Sequence, residues 1–261
     1  MPAPADVHGA DVFTFSLDGA ESELPALRQL LSQEERDRAD RFVFPQHADR
    51  FVVGRATVRR ILADVLACRP ESLVFKLNAY GKPALAAPGP TGLHFNLSHT
   101  GDVALLAVSP TVELGVDIEA VRGTPCEDGL PALVFSAREQ ATLGALPVNL
   151  QLRAFYLGWT RKEAFVKACG QGLSMPLKDF DVTLDPAAAP RIEAIADEPG
   201  AADRWALAHL DLPDGVVGAI AAETGSNKIA VRLVRADIAV TVSGAHNPTL
   251  KQDTISHTIL R

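Results

Sequence analysis

The 261-residue sequence predicts an α+β protein made of two subdomains of similar topology, and three observations carry that prediction. Each half opens with a capped, charged segment and a long amphipathic stretch. In each half the apolar period then changes from 3.6 to two. The order long helix, strand, hairpin occurs twice, as a repeat of pattern and not of residue identity.

In chain order, residues 11–17 alternate polar and apolar and are read as the first strand. Ser32-Gln33-Glu34-Glu35 has the form of a capping box, so a short helix is expected through Arg41. A longer helix is expected over 48–66, where Phe51, Val52, Val58, Ile61, Leu62 and Val65 form one core-facing stripe. Arg50 and Arg55 fall off that stripe, in a stretch (28–60) holding eight arginines against five acids, the one locally basic region. They are read either as solvated helix arginines or as groups facing a ligand. Strands are expected over 73–77, 92–97, 103–108 and 113–118, with 78–83, 99–102 and 109–110 as turns.

In the second half, Ser136-Ala137-Arg138-Glu139 is another capping box, opening a helix to about residue 146. The long helix is expected over 150–169, stopped by Gly170 and Gly172. Strands follow over 180–184, 205–210 and 216–222, the last two joined around Pro213-Asp214-Gly215, and 185–190 reads as a low-complexity loop. Two alternating runs, 229–234 and 238–242, leave the tail open between an edge hairpin and loose chain.

Bulk properties limit the function. With 47% hydrophobic residues the chain can bury a substantial core. The net charge of −7 argues against a general nucleic-acid binder, so any phosphate site must be local. Cys68, Cys126 and Cys169 are odd in number and widely spaced, against both a disulfide framework and a zinc site. Residues 1–11 carry no basic-then-apolar leader and no run approaches 18 apolar residues, so neither export nor membrane spanning is expected, and the expected location is cytoplasmic.

The chemistry concentrates in two stretches. On a helix, Trp159, Glu163 and Lys167 share one face, although a Glu four residues before a Lys is also the ordinary salt-bridged pair of a solvated surface. On a strand, Asp117 and Glu119 point to one side while Val116 and Ile118 point to the other. Paired carboxylates suit Mg²⁺, which takes one or two protein carboxylates plus phosphate oxygens and water. Gly81-Lys82-Pro83 and the 96–101 stretch, with Ser98 and His99, add donors at strand ends. Carboxylates for a metal with Lys, Arg and His for phosphates suit phosphoryl-type transfer. Neither G-x-x-x-x-G-K-[ST] nor G-x-G-x-x-G occurs, and no G-x-S-x-G elbow accompanies Ser98-His99.

GKPAL (81–85), FNLSHTG (95–101), GVDIE (115–119) and WTRKEAFVKACGQGL (159–173) occur in an order and approximate spacing that resembles the 4'-phosphopantetheinyl transferases of the surfactin-synthetase-activating type, over roughly residues 12–222. The resemblance implies two similar α/β subdomains related by pseudo-twofold symmetry, with the active site between them. It would divide the chain at 1–118, carrying the 3'-phosphate and adenine side, and 119–225, carrying the catalytic helix, with 226–261 an extension of unassigned role. It implies transfer of phosphopantetheine from coenzyme A to a serine of an apo acyl or peptidyl carrier protein, with release of adenosine 3',5'-bisphosphate. The alternatives are a degenerate module that binds carrier or coenzyme A without chemistry, or a hydrolase of pyrophosphate-containing nucleotides.

By the same resemblance Asp117, Glu119 and Glu163 match the acids that hold Mg²⁺, and Lys162 and Lys167 match the two motif lysines, Lys167 neutralising pyrophosphate charge. Glu163 or a metal-bound hydroxide would take the serine proton. His99, Arg50 and Arg38 match 3'-phosphate positions, and Gly81, Lys82 and Pro83 the stretch along the adenine, with Ser98 beside His99. Glu35 departs from the pattern, which tends to place a base there, and Arg36, Arg38 and Arg41 are the available replacements. A monomer is expected from two subdomains in one chain, with no nucleic-acid or membrane partner.

Overall fold

Alternation along residues 9–16 forms the first strand of a sheet on which the rest of the N-terminal half is laid. The computed structural model describes residues 8–88, 92–126, 128–236 and, for the backbone, 254–258. After β1 (Gly9–Ser16) come α1 (Leu24–Gln29), α2 (Gln33–Ala39) and α3 (Pro45–Leu66). The capping box at Ser32 forms as expected, its hydroxyl accepting from Glu35 N and Glu35 accepting from Ser32 N. α3 starts three residues before the expected position because Pro45 occupies its first turn, where a missing N–H costs nothing.

β2 (Val74–Leu77) and β3 (Pro83–Ala87) form a separate hairpin, while β4 (His94–Thr100) and β5 (Val103–Ser109) extend the main sheet. The second half runs β6 (Leu114–Ala120), α4 (Leu130–Val134), α5 (Ala137–Ala145), α6 (Val148–Cys169), β7 (Phe180–Val182), β8 (Ile192–Ile195), β9 (Trp205–Leu210) and β10 (Val216–Glu223). β11 (Ala230–Arg235) and β12 (Thr254–Thr258) follow.

The main sheet has the order β12-β11-β1-β5-β4, and a second sheet the order β6-β10-β9. β6 pairs antiparallel with β10 and not with the strands preceding it, so a division at 118/119 would cut β6. The 229–234 run forms a strand that returns to the first half, pairing parallel with β1 at Gly9↔Ala230 through Thr14↔Arg235. The expected 238–242 run lies outside the described residues.

One core fills the space between the main sheet and α1–α3, with Phe13, Phe15, Leu27, Val58 and Leu62 buried. A second packs Phe135, Phe155, Phe165 and Phe180 around α6, and a third packs Val12, Leu105, Val116 and Ile220 between the two sheets. Among the described residues no helix is long and apolar enough to cross a membrane.

The seam between the sheets is polar. Asn96, Ser98 and Thr100 alternate onto one side of β4 and are all buried. Asn96 Oδ1 accepts from Val116 N at 2.9 Å, Ser98 Oγ donates to Asp117 Oδ1 at 2.9 Å, and Thr100 Oγ1 accepts from Ala120 N at 3.3 Å. A strand of the main sheet thereby fixes β6, the strand of the second sheet that carries Asp117 and Glu119.

Candidate active site

Gly115 determines how closely α6 lies on β6. A Cβ at this position would overlap the Ala164 carbonyl oxygen and the Ala168 nitrogen and stand 2.8 Å from the Lys167 carbonyl carbon, so only glycine permits the contact. With the backbones touching, the helix face of Trp159, Glu163 and Lys167 meets the strand face of Asp117 and Glu119. These five residues, with Leu97, Ser98 and His99, line a cavity of about 350 Å³.

Asp117 is the most buried of the acids. Its Oδ1 accepts from Lys167 Nζ at 2.6 Å and from Ser98, whereas its Oδ2 is buried with no hydrogen-bond partner. Burial pushes the Asp117 carboxyl above its usual range, and the Lys167 charge and Ser98 only partly reverse this. Glu119 is raised by burial and by the Asp117 charge, opposed by hydrogen bonds from Trp159 and Thr100 and by Lys167. Glu163 is raised by burial and by Asp117, then lowered by Lys167 and raised again by Glu119. Three mutually repelling carboxylates around one buried, unsatisfied oxygen suit a cation.

Among the described residues no group of three or more His, Cys, Asp or Glu is arranged to hold a metal ion. Oδ1 of Asp117 is committed to Lys167 and Ser98. The remaining donors fit Mg²⁺, whose shell commonly mixes one or two carboxylates with water and phosphate oxygens. Lys167 Nζ also reaches Ser98 Oγ at 3.0 Å and the Val116 carbonyl at 3.3 Å, which places its charge at the cavity wall.

The other expected residues are not gathered here. Lys162, expected beside a phosphate, is fully buried on another side of α6. Its Nζ pairs with Glu139 Oε2 at 2.8 Å, donates to the Leu177 and Phe180 carbonyls and lies 4.3 Å from the Phe180 ring centroid. It is a buried structural cation and not a cavity group. Glu139 was legible only as a capping residue; it caps α5 and also accepts from Val182 N at 2.8 Å.

Lys82 binds Glu113 at 2.6 Å and donates to the Leu114 and Ala168 carbonyls, holding the end of α6 against the start of β6. Gly81, at φ +88°, and Pro83 shape the turn that carries it, and Asn78 reinforces the contact by donating to the Gly170 carbonyl at 2.9 Å. Arg50 makes a bidentate pair with Asp18 at 2.7 and 2.5 Å, and the Asp102 charge at the β4–β5 turn acts on it too. Exposed Arg38 lies over the Phe51 ring, 5.2 Å from its centroid.

Glu35 does not face a ligand either. It binds Arg55 and Arg59 beneath α3 while capping α2, and both arginines lie over the Phe75 ring. Burial pushes Glu35 up, but the Arg55 charge and the hydrogen bonds from Arg59, Ser32 and Arg55 outweigh it and hold the carboxyl below its usual range. Arg36 is committed to the Leu31 carbonyl and Gln33.

Comparison with known proteins identifies the family. Residues 18–111 match the family described as 4'-phosphopantetheinyl transferase, N-terminal, and residues 113–221 match the 4'-phosphopantetheinyl transferase superfamily. The 4'-phosphopantetheinyl transferase HetI of Nostoc sp. is 36% identical over 206 residues, 78% of this chain and 84% of its own. A 4'-phosphopantetheinyl transferase of Bacillus subtilis is 34% identical over 154 residues, 59% of this chain and 66% of its own. A solved holo-[acyl-carrier-protein] synthase of Thermotoga maritima aligns at 17% identity over 49% of this chain and 71% of its own, with a TM-score of 0.36, too distant to argue from. Both halves and the HetI match agree: the chain belongs to the 4'-phosphopantetheinyl transferase family and is an enzyme of that class.

Proposed function

We propose that the enzyme is of the surfactin-synthetase-activating type, moving 4'-phosphopantetheine from coenzyme A to a serine of an apo acyl or peptidyl carrier protein in a Mg²⁺-dependent reaction that releases adenosine 3',5'-bisphosphate. The observation that carries this reading is the meeting of Asp117, Glu119, Glu163 and Lys167 in one cavity across the β6–α6 contact. We read residues 1–118 and 119–225 as the two functional halves, with the boundary inside β6 so that Asp117 belongs to the first and Glu119 to the second, and the enzyme as a cytoplasmic monomer.

Asp117, Glu119 and Glu163 would hold the Mg²⁺, which when bound supplies charge neutralisation at the pyrophosphate. Glu163 is the base in this reading. Among the described residues its carboxylate accepts no hydrogen bond, whereas Asp117 is held by Lys167 and Ser98 and Glu119 by Thr100 and Trp159. Burial and the neighbouring carboxylates also raise its affinity for a proton. The serine hydroxyl gives its proton to Glu163 while its oxygen bonds to the β-phosphorus of coenzyme A. The bond from that phosphorus to the bridging oxygen breaks, and Lys167 faces the charge that develops on the departing bisphosphate.

His99, exposed at the cavity rim, is assigned to the non-reacting 3'-phosphate. Arg50, on which the Asp102 charge of the β4–β5 turn acts, would share its charge between Asp18 and that phosphate, and Arg38 is assigned to the same phosphate. The Gly81-Lys82-Pro83 turn remains the assigned adenine-side wall. Protein mixed with coenzyme A, Mg²⁺ and apo carriers should yield a carrier heavier by one phosphopantetheine, and no mass gain with several unrelated carriers refutes the proposal.

A further inference from the structure

On the side of α6 turned away from the carboxylates is a second cavity, of about 260 Å³. Arg153, Leu157 and Arg161, each one turn apart on the helix, form one wall, and His209 of β9 with Val231 and Leu233 of β11 form the others. At about 30 Å³ per water-sized volume the space suits a ligand of roughly eight or nine non-hydrogen atoms.

Two of these residues carry buried polar atoms without a partner: Nε of Arg161 and Nδ1 of His209. Arg161 is 2% exposed and uses Nη1 on the Thr183 carbonyl. As a guanidinium it is cationic at neutral pH, with the Asp185 charge within electrostatic reach. Burial, then the charges of Arg161 and Arg153, push His209 below its usual value, opposed by Asp211 and a hydrogen bond to the Gly218 backbone. Bonding that backbone through its other nitrogen leaves the neutral ring with Nδ1 as an acceptor.

Arg153 is exposed and forms no ion pair among the described residues. Asp211 also lines the cavity, and Asp185 lies within electrostatic reach of Arg161. Two cations against two nearby acids favour a monoanion over a phosphate dianion. The buried cationic donor matches an anionic oxygen, the acceptor nitrogen matches an adjacent hydroxyl, and the leucine and valine walls match a short apolar body.

We propose that this cavity binds a small 2-hydroxycarboxylate with a short aliphatic chain. The test is calorimetric titration of the whole protein with 2-hydroxyhexanoate, hexanoate and hexylamine, each with and without saturating coenzyme A and Mg²⁺. 2-Hydroxyhexanoate should bind in both conditions, hexanoate about tenfold more weakly, and hexylamine not at all. Arg161→Met removes a buried hydrogen-bonded group and can fail to fold, so Arg153→Glu, at an exposed position, serves as the charge test and should weaken 2-hydroxyhexanoate at least about tenfold. His209→Phe should erase the preference for the hydroxy acid. The proposal is overturned by no binding at about 10 mM ligand, by equal binding of the amine, by an unchanged affinity in Arg153→Glu, or by binding that vanishes when coenzyme A is present.

Discussion

α3 and α6 are the same length, 22 residues each, both end in a left-handed residue, and both lie on the sheet of their own half. Their charged side chains have opposite fates. On α3 the arginines turn toward acids of the same half: Arg50 to Asp18, Arg55 and Arg59 to Glu35. On α6 Glu163 and Lys167 face a cavity they share with β6, and Lys167 takes its partner from across the gap. The repeat thus supplies a frame twice but chemistry once, and the difference lies in what the helix packs against. Gly115 brings α6 within backbone contact of an acidic strand, whereas the α3 glycine, Gly54, faces only the Leu17 side chain.

The strongest way to break this contrast is Asp117→Ala. It should lower kcat by about 10³-fold or more with folding retained, since removing one transition-state group commonly costs on that order. Activity assays on carrier, with circular dichroism as control, check it. Gly115→Ala should do nearly as much damage by lifting α6 from β6, although no reacting group changes; full activity in this variant would show that the contact is not what assembles the site.

Lys162→Met sharpens the comparison within α6 itself. Breaking a buried ion pair typically costs about 3–5 kcal/mol, so denaturant unfolding should report a loss near the low end, because Glu139 can neutralise by taking a proton. A stable Lys162 variant with a raised KM for coenzyme A would return this residue to the phosphate site.

On α3, Glu35→Gln should cost about 1–3 kcal/mol and leave kcat nearly intact. The pH dependence follows from the lowered Glu35 carboxyl. The unfolded chain binds this proton more readily than the folded one, so its contribution is present above roughly pH 4.3 and fades as pH falls through the lower folded value. Acid unfolding should therefore begin at higher pH in weakened neighbours such as Arg55→Ala. The smallest effect is expected for His99→Ala, a rise in KM for coenzyme A of about tenfold with kcat little changed, because it meets a non-reacting group. A fall in kcat alone would move His99 into the reaction.

The long, periodic segments and the acids were legible because period two and period 3.6 each state which residues share a face. Asp117 with Glu119, and Trp159 with Glu163 and Lys167, needed nothing more. Lys162 was misplaced by adjacency: one residue along a helix is about 100° around it, which turns this side chain from the cavity into the 177–180 segment. α1, α4, β3 and β8 are too short to show a period. Gly115 stood in a quoted motif, but its reason is a helix backbone about fifty residues away, and a glycine inside a strand signals close approach without saying to what. The pairing of Glu35 and of Arg50 likewise depends on residues that only the fold brings near.

The parallel pairing of β11 with β1 has a consequence for synthesis. Residue 9 gains its partner only when residue 230 exists, so the sheet that presents His99 waits with one flank open while over two hundred residues emerge. Such a distant closure slows folding and leaves an unpaired strand edge exposed in the nascent chain. A ribosome-bound protein halted before residue 230 should therefore hold chaperones longer than one released with β11 in place.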